Sequence, residues 1–212
     1  MQLTQSSVGR KIIMAVTGAM LFAFVCVHLL GNSSLFFGSA AINAYAQKLH
    51  SLGPVVWIFR LVMLGLFAVH IIFGIQLTLE NKAATPDKNV QVKRLKTGFA
   101  AETMVVSGLV ILAFAIYHLL HFTVRVTNPE IYVPIEGGHG MVDVFIMVTK
   151  GFQQLFPVLL YVIAMGFLFL HVSHGFQSLF QTIGLSNDRT LPVMGNFSKL
   201  VGVVLLVGYA SI

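Results

Sequence analysis

Eight histidines stand in a chain of 212 residues that is 57% hydrophobic and only 9% charged. An ionisable side chain at membrane depth is costly and is usually kept for function. Imidazole is also the usual axial ligand of haem iron inside helix bundles. His28, His70, His118 and His171 fall one to each of four long apolar runs, and their depths follow from helix geometry. At 1.5 Å per residue, His28 lies about 24 Å from the inner start of the first run and His118 about 28 Å from that of the third. The second and fourth runs return in the opposite direction: His70 lies about 22 Å and His171 about 27 Å from their outer starts. The antiparallel alternation therefore predicts an outer pair, His28 with His118, and an inner pair, His70 with His171. With helices of about 37 Å, the two levels differ by on the order of 10 Å.

A lone intramembrane histidine is more often a hydrogen bond between helices than a ligand, but four at two matched levels point to bis-histidine ligation of two haems. Glycine spacing supports the same pairs, since a flat porphyrin needs helix positions without side chains. Gly65, His70 and Gly74 recur with the offsets of Gly166, His171 and Gly175, and Gly18 precedes His28 as Gly108 precedes His118. His121 and His174, each three residues past a preferred ligand, break that register and read as partners of the ligands or of haem propionates. His50 and His139 fall in outer connections, where a surface histidine is the first expectation.

The elements that must carry these residues are apolar runs at about 12–37, 55–79, 99–124, 152–181 and 197–212, separated by turn and charge signals at Gly53-Pro54, Asn81 to Thr97, Thr127 to Gly140, and Gly184 to Gly195 with Pro192. Each run has the length of a membrane span and is apolar on all sides. The predicted fold is an all-α integral membrane protein of five transmembrane helices, the first four forming the haem-binding bundle, in one domain over 1–212. Ser39 to Leu52 and Met141 to Val148 read as short amphipathic helices on the outer surface.

With the N-terminus in the cytoplasm, Arg10, Lys11, Lys82, Lys88, Lys93, Arg94, Lys96, Arg189 and Lys199 lie inside and Lys48, Arg60, Arg125 and Lys150 outside. Nine against four satisfies the positive-inside rule and puts the C-terminus outside. This also accounts for the net charge of +6, since the basic residues are dispersed between apolar runs rather than gathered into a nucleic-acid-binding face. The mean hydropathy of +0.87 excludes an ordinary soluble domain. A single cysteine, Cys26, excludes an internal disulfide, an iron-sulfur cluster or a thiolate zinc site on this chain. The apolar stretch after Arg10-Lys11 is too long for a signal peptide and reads as a retained first span.

Several segments together resemble the single-chain dihaem cytochrome b anchor of succinate:quinone oxidoreductases, the succinate dehydrogenases and fumarate reductases. They are Arg10-Lys11; His28-Leu29-Leu30-Gly31-Asn32; Ala44-Tyr45-Ala46-Gln47-Lys48-Leu49; His70 with Gly74; Tyr117-His118-Leu119; and the most specific, His171-Val172-Ser173-His174-Gly175-Phe176-Gln177-Ser178-Leu179-Phe180-Gln181. The resemblance spans nearly the whole chain. It implies that His28 and His118 hold the outer haem b and His70 and His171 the inner one, with Gly31, Gly74 and Gly175 beside the cofactors. In helix four, the choice of His171 over His174 rests on motif register.

The resemblance further implies electron transfer between a membrane quinone, with menaquinone expected from the dihaem type, and an iron-sulfur subunit joined to a flavoprotein, in a bacterial inner membrane. No dicarboxylate catalysis is expected on this chain. One departure is the enlarged outer connection from Glu130 to Lys150. No acidic residue lies at mid-span, so a carboxylate relay through the bilayer centre has no support. Polar residues at the outer ends of the first two spans, Asn32, Ser33, Gln47, His50 and Arg60, form the expected quinone site, with an inner alternative beside Lys96, Ser178 and Gln181. The competing readings are the cytochrome b of a hydrogenase or formate dehydrogenase, disfavoured by the helix-four segment, and a haem-free transporter, which would show broken helices and midplane charges.

Overall fold

The computed structural model describes residues 4–84, 98–135 and 140–212. Helix α1 (Ser7–Asn32) starts at Ser6, whose hydroxyl accepts from the Gly9 N–H at 3.0 Å, and runs on into a 3₁₀ turn, Ser33–Phe37. Gly38 then takes φ 88°, a region open to glycine but strained for other residues, and the chain turns into α2 (Ser39–Ser51). Pro54 opens α3 (Pro54–Ala83), a position where its missing N–H has no acceptor to lose. A single turn, α4 (Phe99–Glu102), precedes α5 (Met104–His118), which continues as a wide π-helical turn over Leu119–Val124. Arg125, left-handed at φ 64°, ends it. A 3₁₀ turn at Pro129–Ile131 leads to α6 (Val144–Gly151), followed by α7 (Leu155–Thr182) and α8 (Thr190–Ala210).

Among the described residues, five helical stretches are long and apolar enough to cross a membrane: Ser7–Phe37, Pro54–Ala83, Met104–Val124, Leu155–Thr182 and Thr190–Ala210. They match the five runs of the sequence, and short helices, α2 and α6, stand in both segments expected to form them. Two boundaries differ from expectation. The segment from Gly184 to Gly195 is not all connection, because α8 begins at Thr190 and takes Pro192 into its first turn, where a backbone N–H has no helical acceptor. Asn187 makes this start possible: its Oδ1 accepts from the N–H groups of Arg189 and Thr190 at 3.0 and 2.9 Å, while Thr190 Oγ1 accepts from the Asn187 N–H at 2.9 Å. The second expected surface helix starts at Val144 rather than Met141, since Asp143 caps it by accepting from the Ile146 N–H at 2.9 Å. Of the basic residues used for orientation, Lys88, Lys93, Arg94 and Lys96 lie outside the described residues, as does His139.

α1 packs against α3 and α7, α7 packs against α5, and a slighter contact between α3 and α5 closes the ring. In this four-helix bundle, α1 stands diagonally from α5 and α3 from α7. α8 lies outside the ring against α7 and α1. Its glycines let it approach: Gly202 faces Phe169 and Ser173, Gly195 faces the Gln177 amide, and Gly208 faces Leu29, the small-residue packing that holds helices together where no hydrophobic drive exists. Outward, Trp57, Leu61, Leu64, Ile72 and Leu79 of α3 and Leu159, Ile163, Val203 and Val207 of α7 and α8 are exposed, as a lipid-facing surface requires. At one end, α2 packs on α6, and Asn43 Oδ1 accepts from the N–H groups of Val144 and Phe145 at 2.8 and 3.4 Å.

Candidate functional site

The two diagonals carry the histidines. His28 of α1 and His118 of α5 face each other with ring centroids 5.9 Å apart, and His70 of α3 and His171 of α7 with centroids 6.3 Å apart. A metal–imidazole bond of about 2 Å on each side would put two axial rings roughly 6 Å apart, so both spacings suit a single iron between each pair. Among the described residues no group of three or more His, Cys, Asp or Glu could hold a metal ion. A haem iron asks for two axial ligands only, since the porphyrin fills its other positions.

The His70–His171 level is held by the neighbouring helices in the same way on both sides. Thr17 of α1 lies 3.3 Å from His70 Nδ1 and donates its hydroxyl hydrogen to Ile13 O at 2.8 Å. Ser107 of α5 lies 3.2 Å from His171 Nδ1 and donates to Met104 O at 3.0 Å. Each hydroxyl has one hydrogen; with it on the backbone carbonyl, the hydroxyl oxygen is placed to accept from an imidazole Nδ1–H. That geometry favours the tautomer with an Nε2 lone pair free, the usual arrangement behind a metal-bound histidine. Next to each hydroxyl is a glycine on which the imidazole rests: a Cβ at Gly18 would stand 3.1 Å from His70 Cε1, and one at Gly108 3.4 Å from His171 Cε1.

At the His28–His118 level the arrangement differs. Tyr161 of α7 sets its hydroxyl 3.1 Å from His118 Nδ1 and 3.2 Å from His121 Nδ1. Phe114, Phe152 and Phe122 surround the tyrosine with centroids at 4.8, 4.9 and 5.9 Å. His121 is fully buried and its Nε2 has no hydrogen-bond partner among the described residues, a burial that costs about 1–3 kcal/mol. His28 stacks on Phe24 at 5.4 Å and has Tyr209 of α8 at 6.3 Å. Its Nε2 is 3.3 Å from Asn32 Nδ2, an amide that also donates to the His28 carbonyl at 2.8 Å.

The chain thus builds one unit twice. Met14, Thr17, Gly18, Phe24 and His28 of α1 are matched by Met104, Ser107, Gly108, Phe114 and His118 of α5, every pair 90 residues apart. Gly65, His70, Gly74 and Gln76 of α3 are matched by Gly166, His171, Gly175 and Gln177 of α7, every pair 101 apart. Thr17, Ser107 and Tyr161 were missed by sequence reasoning. The constant 90-residue offset carries the first two, while no spacing signal marks Tyr161.

The glycines named with the histidines have different surroundings. Tyr45 of α2 lies on Gly31, whereas Gly74 and Gly175 receive the methyl ends of Met14 and Met104. Gly65 and Gly166, the other two glycines of that register, have open space where a Cβ would stand. His171, rather than His174, stands opposite His70, and His174 is half-buried one turn further on.

The expected quinone residues have separate surroundings. Asn32 bonds to His28, and Ser33 Oγ donates to Leu29 O at 2.9 Å. Gln47 lines a shallow depression with Ala44, Lys48 and Ser51, His50 is exposed, and the Arg60 guanidinium lies 4.9 Å over the Trp57 ring. Among the described residues no hydrogen bond joins any two of the five. Of the inner alternative, Lys96 lies outside the described residues, Ser178 is half-buried and Gln181 exposed.

The enlarged connection after α5 covers the His121 end. Tyr132 donates its hydroxyl to His121 O at 2.6 Å, and Ile131 is 1% exposed beneath the loop. Glu130, at the surface, accepts from Gln154 Nε2 at 3.0 Å and Asn128 Nδ2 at 3.3 Å. Its own backbone N–H, followed by these two amides, holds its carboxyl below the usual range. At the other end of the bundle, Arg10 pairs with Glu80 at 2.7 Å.

No family model, curated protein or solved structure matches this chain.

Proposed function

We propose that this chain is a dihaem cytochrome b, the membrane anchor that carries electrons between a quinone and the iron-sulfur subunit of a succinate dehydrogenase or fumarate reductase. One observation carries the haem half of this reading: two imidazole pairs meet on the two diagonals of one bundle, with centroids 5.9 and 6.3 Å apart. When bound, a haem at each level supplies one-electron exchange. The chain's own part would be to hold it through imidazole nitrogens. His70 and His171 present Nε2 because Thr17 and Ser107 take Nδ1, and His118 does so because Tyr161 takes its Nδ1. The paired imidazoles sit half-buried between the helices, and lipid-facing side chains keep the bundle in the membrane.

The complex-level half of the reading rests on the resemblance of the helix-four segment from His171 to Gln181 and of the other motifs to that family. On this reading the quinone, expected to be menaquinone, reacts at a membrane edge, the N-terminus is cytoplasmic, and the flavoprotein and iron-sulfur partners bind on the cytoplasmic side of a bacterial inner membrane.

The test is purification of the membrane complex followed by redox-monitored optical spectroscopy. Two b-type signals are expected, with His28→Ala or His118→Ala removing one and His70→Ala or His171→Ala the other. A colourless protein, or single variants that keep both signals, would refute the haem reading. Purification with a hydrogenase or formate dehydrogenase subunit, in place of a succinate-oxidising flavoprotein, would keep the haems and refute the complex.

A further inference from the structure

Tyr161 touches two histidines, of which only one belongs to a facing pair. Its hydroxyl has a single hydrogen and lone pairs that accept. Among the described residues its hydrogen-bond partners are His118 Nδ1 at 3.1 Å and His121 Nδ1 at 3.2 Å. A neutral imidazole has a proton on one nitrogen and a lone pair on the other. The hydroxyl can therefore satisfy both rings by accepting from one and donating to the other, which gives the two rings opposite tautomers. If His118 offers its Nε2 lone pair toward His28, its Nδ1–H donates to Tyr161, the phenol hydrogen goes to His121 Nδ1, and His121 keeps its proton on Nε2.

His121 is built for that part. The ring is fully buried, and its Nε2 has no partner among the described residues. An apolar side chain would fill the same space without that cost. The ring is also confined: Phe122 stacks on it at 4.0 Å, bare Gly151 makes room for it, and Tyr132 holds its backbone carbonyl.

We infer that the Tyr161 hydroxyl, with His121 as its acceptor, is a positioning device that sets the tautomer of His118 and strengthens it as an electron donor to iron. This rests on the haem reading above. At the other level the hydroxyls of Thr17 and Ser107 pass their hydrogens to backbone carbonyls. Here a more acidic phenol passes its hydrogen to an imidazole, and a hydroxyl that donates well accepts better in turn. Stronger acceptance at Nδ1 gives the bound ring more imidazolate character, which favours ferric iron.

The experiment uses the full-length, haem-loaded chain and reads midpoint potentials and the low-spin electron paramagnetic resonance signals. Tyr161→Phe keeps the aromatic ring and removes the oxygen. The expected result is an upward shift in the potential of one haem and a moved low-spin signal for it, with the other haem unchanged. His121→Leu, which removes the acceptor, is expected to shift the same haem in the same direction by less. His121→Gln, whose amide oxygen can accept from the phenol, is expected to return it toward the wild-type value. Tyr161→Phe with both potentials and both signals at wild-type values overturns the inference. Should Tyr161→Phe lose that haem, the order of the two His121 variants decides, and equal, wild-type potentials in both overturn it. A wild-type chain without two bis-histidine haems would instead overturn the proposed function.

Discussion

Thr17 and Ser107 offer a measurement of how much the bundle contributes to ligand geometry, because each supports one of two facing imidazoles through one hydroxyl. Thr17→Val keeps the branched shape and removes the oxygen 3.3 Å from His70 Nδ1, and Ser107→Ala removes the oxygen 3.2 Å from His171 Nδ1. The two sites are 5% and 0% exposed, so water does not replace the lost acceptor. A buried imidazole N–H left without a partner costs about 1–3 kcal/mol. An alternative is open to the ring, which can move its proton to Nε2 and so lose its metal-binding lone pair. If a haem is held between His70 and His171 as proposed, either route weakens its retention by roughly 10–100-fold per substitution.

The two hydroxyls act on different ligands of one site. The double variant is therefore expected to lose on the order of 10²–10⁴-fold if the effects add. On the dihaem reading proposed above, the assay is transfer of haem to excess apomyoglobin, followed separately at the two levels. Faster loss of one haem with the other unchanged is the expected pattern. A double variant that releases both haems at wild-type rates would refute the view that these hydroxyls support the ligands, and equal acceleration at both levels would refute their assignment to one.

Three further outcomes test the packing and the surface. Gly202→Ala would bring a Cβ to 2.8 Å from Ser173 Oγ and 3.2 Å from the Phe169 carbonyl, so α8 must move off α7, and thermal unfolding in detergent is expected to report a loss of about 1–3 kcal/mol. Asn43→Ala uncaps α6 from outside and is expected to cost about 1 kcal/mol, read as faster hydrogen exchange at Val144 and Phe145 with the α1 core unchanged. Glu130 has a carboxyl pKa below its ordinary 4.5, so its contribution to the loop is complete above that value and is lost as the pH falls through the folded pKa. Loop protection in wild-type protein is thus expected to decline in acid, and Glu130→Gln to remove that pH dependence.

Much of the architecture is readable along the chain, because lipid imposes a local requirement. Each span must be apolar and about 20 residues or more in length, and a helix satisfies its own backbone. The five runs, the two short surface helices and the arrangement of His28 with His118 and His70 with His171 all follow from length, spacing and alternation of direction. Helix ends were less accessible. Pro192 looks like a terminator until Asn187 is seen supplying the turn that lets α8 start before it, and Asn43 looks like a polar surface residue until α6 is found resting on it.

Sequence alone determined that the chain is a set of long apolar helices and that four of its histidines, one to a helix, fall at two depths, since hydropathy and rise per residue are properties of a segment by itself. Tertiary structure alone decided which helices stand on the diagonals, that Gly18 and Gly108 give room to imidazoles, that Gly31 gives it to Tyr45, and that Tyr161 joins His118 to His121. Those facts depend on rotation of each helix about its axis, which is set by side chains meeting across the bundle. A hydroxyl from one helix and a ring nitrogen from another have no mark in either segment until packing brings them within about 3 Å.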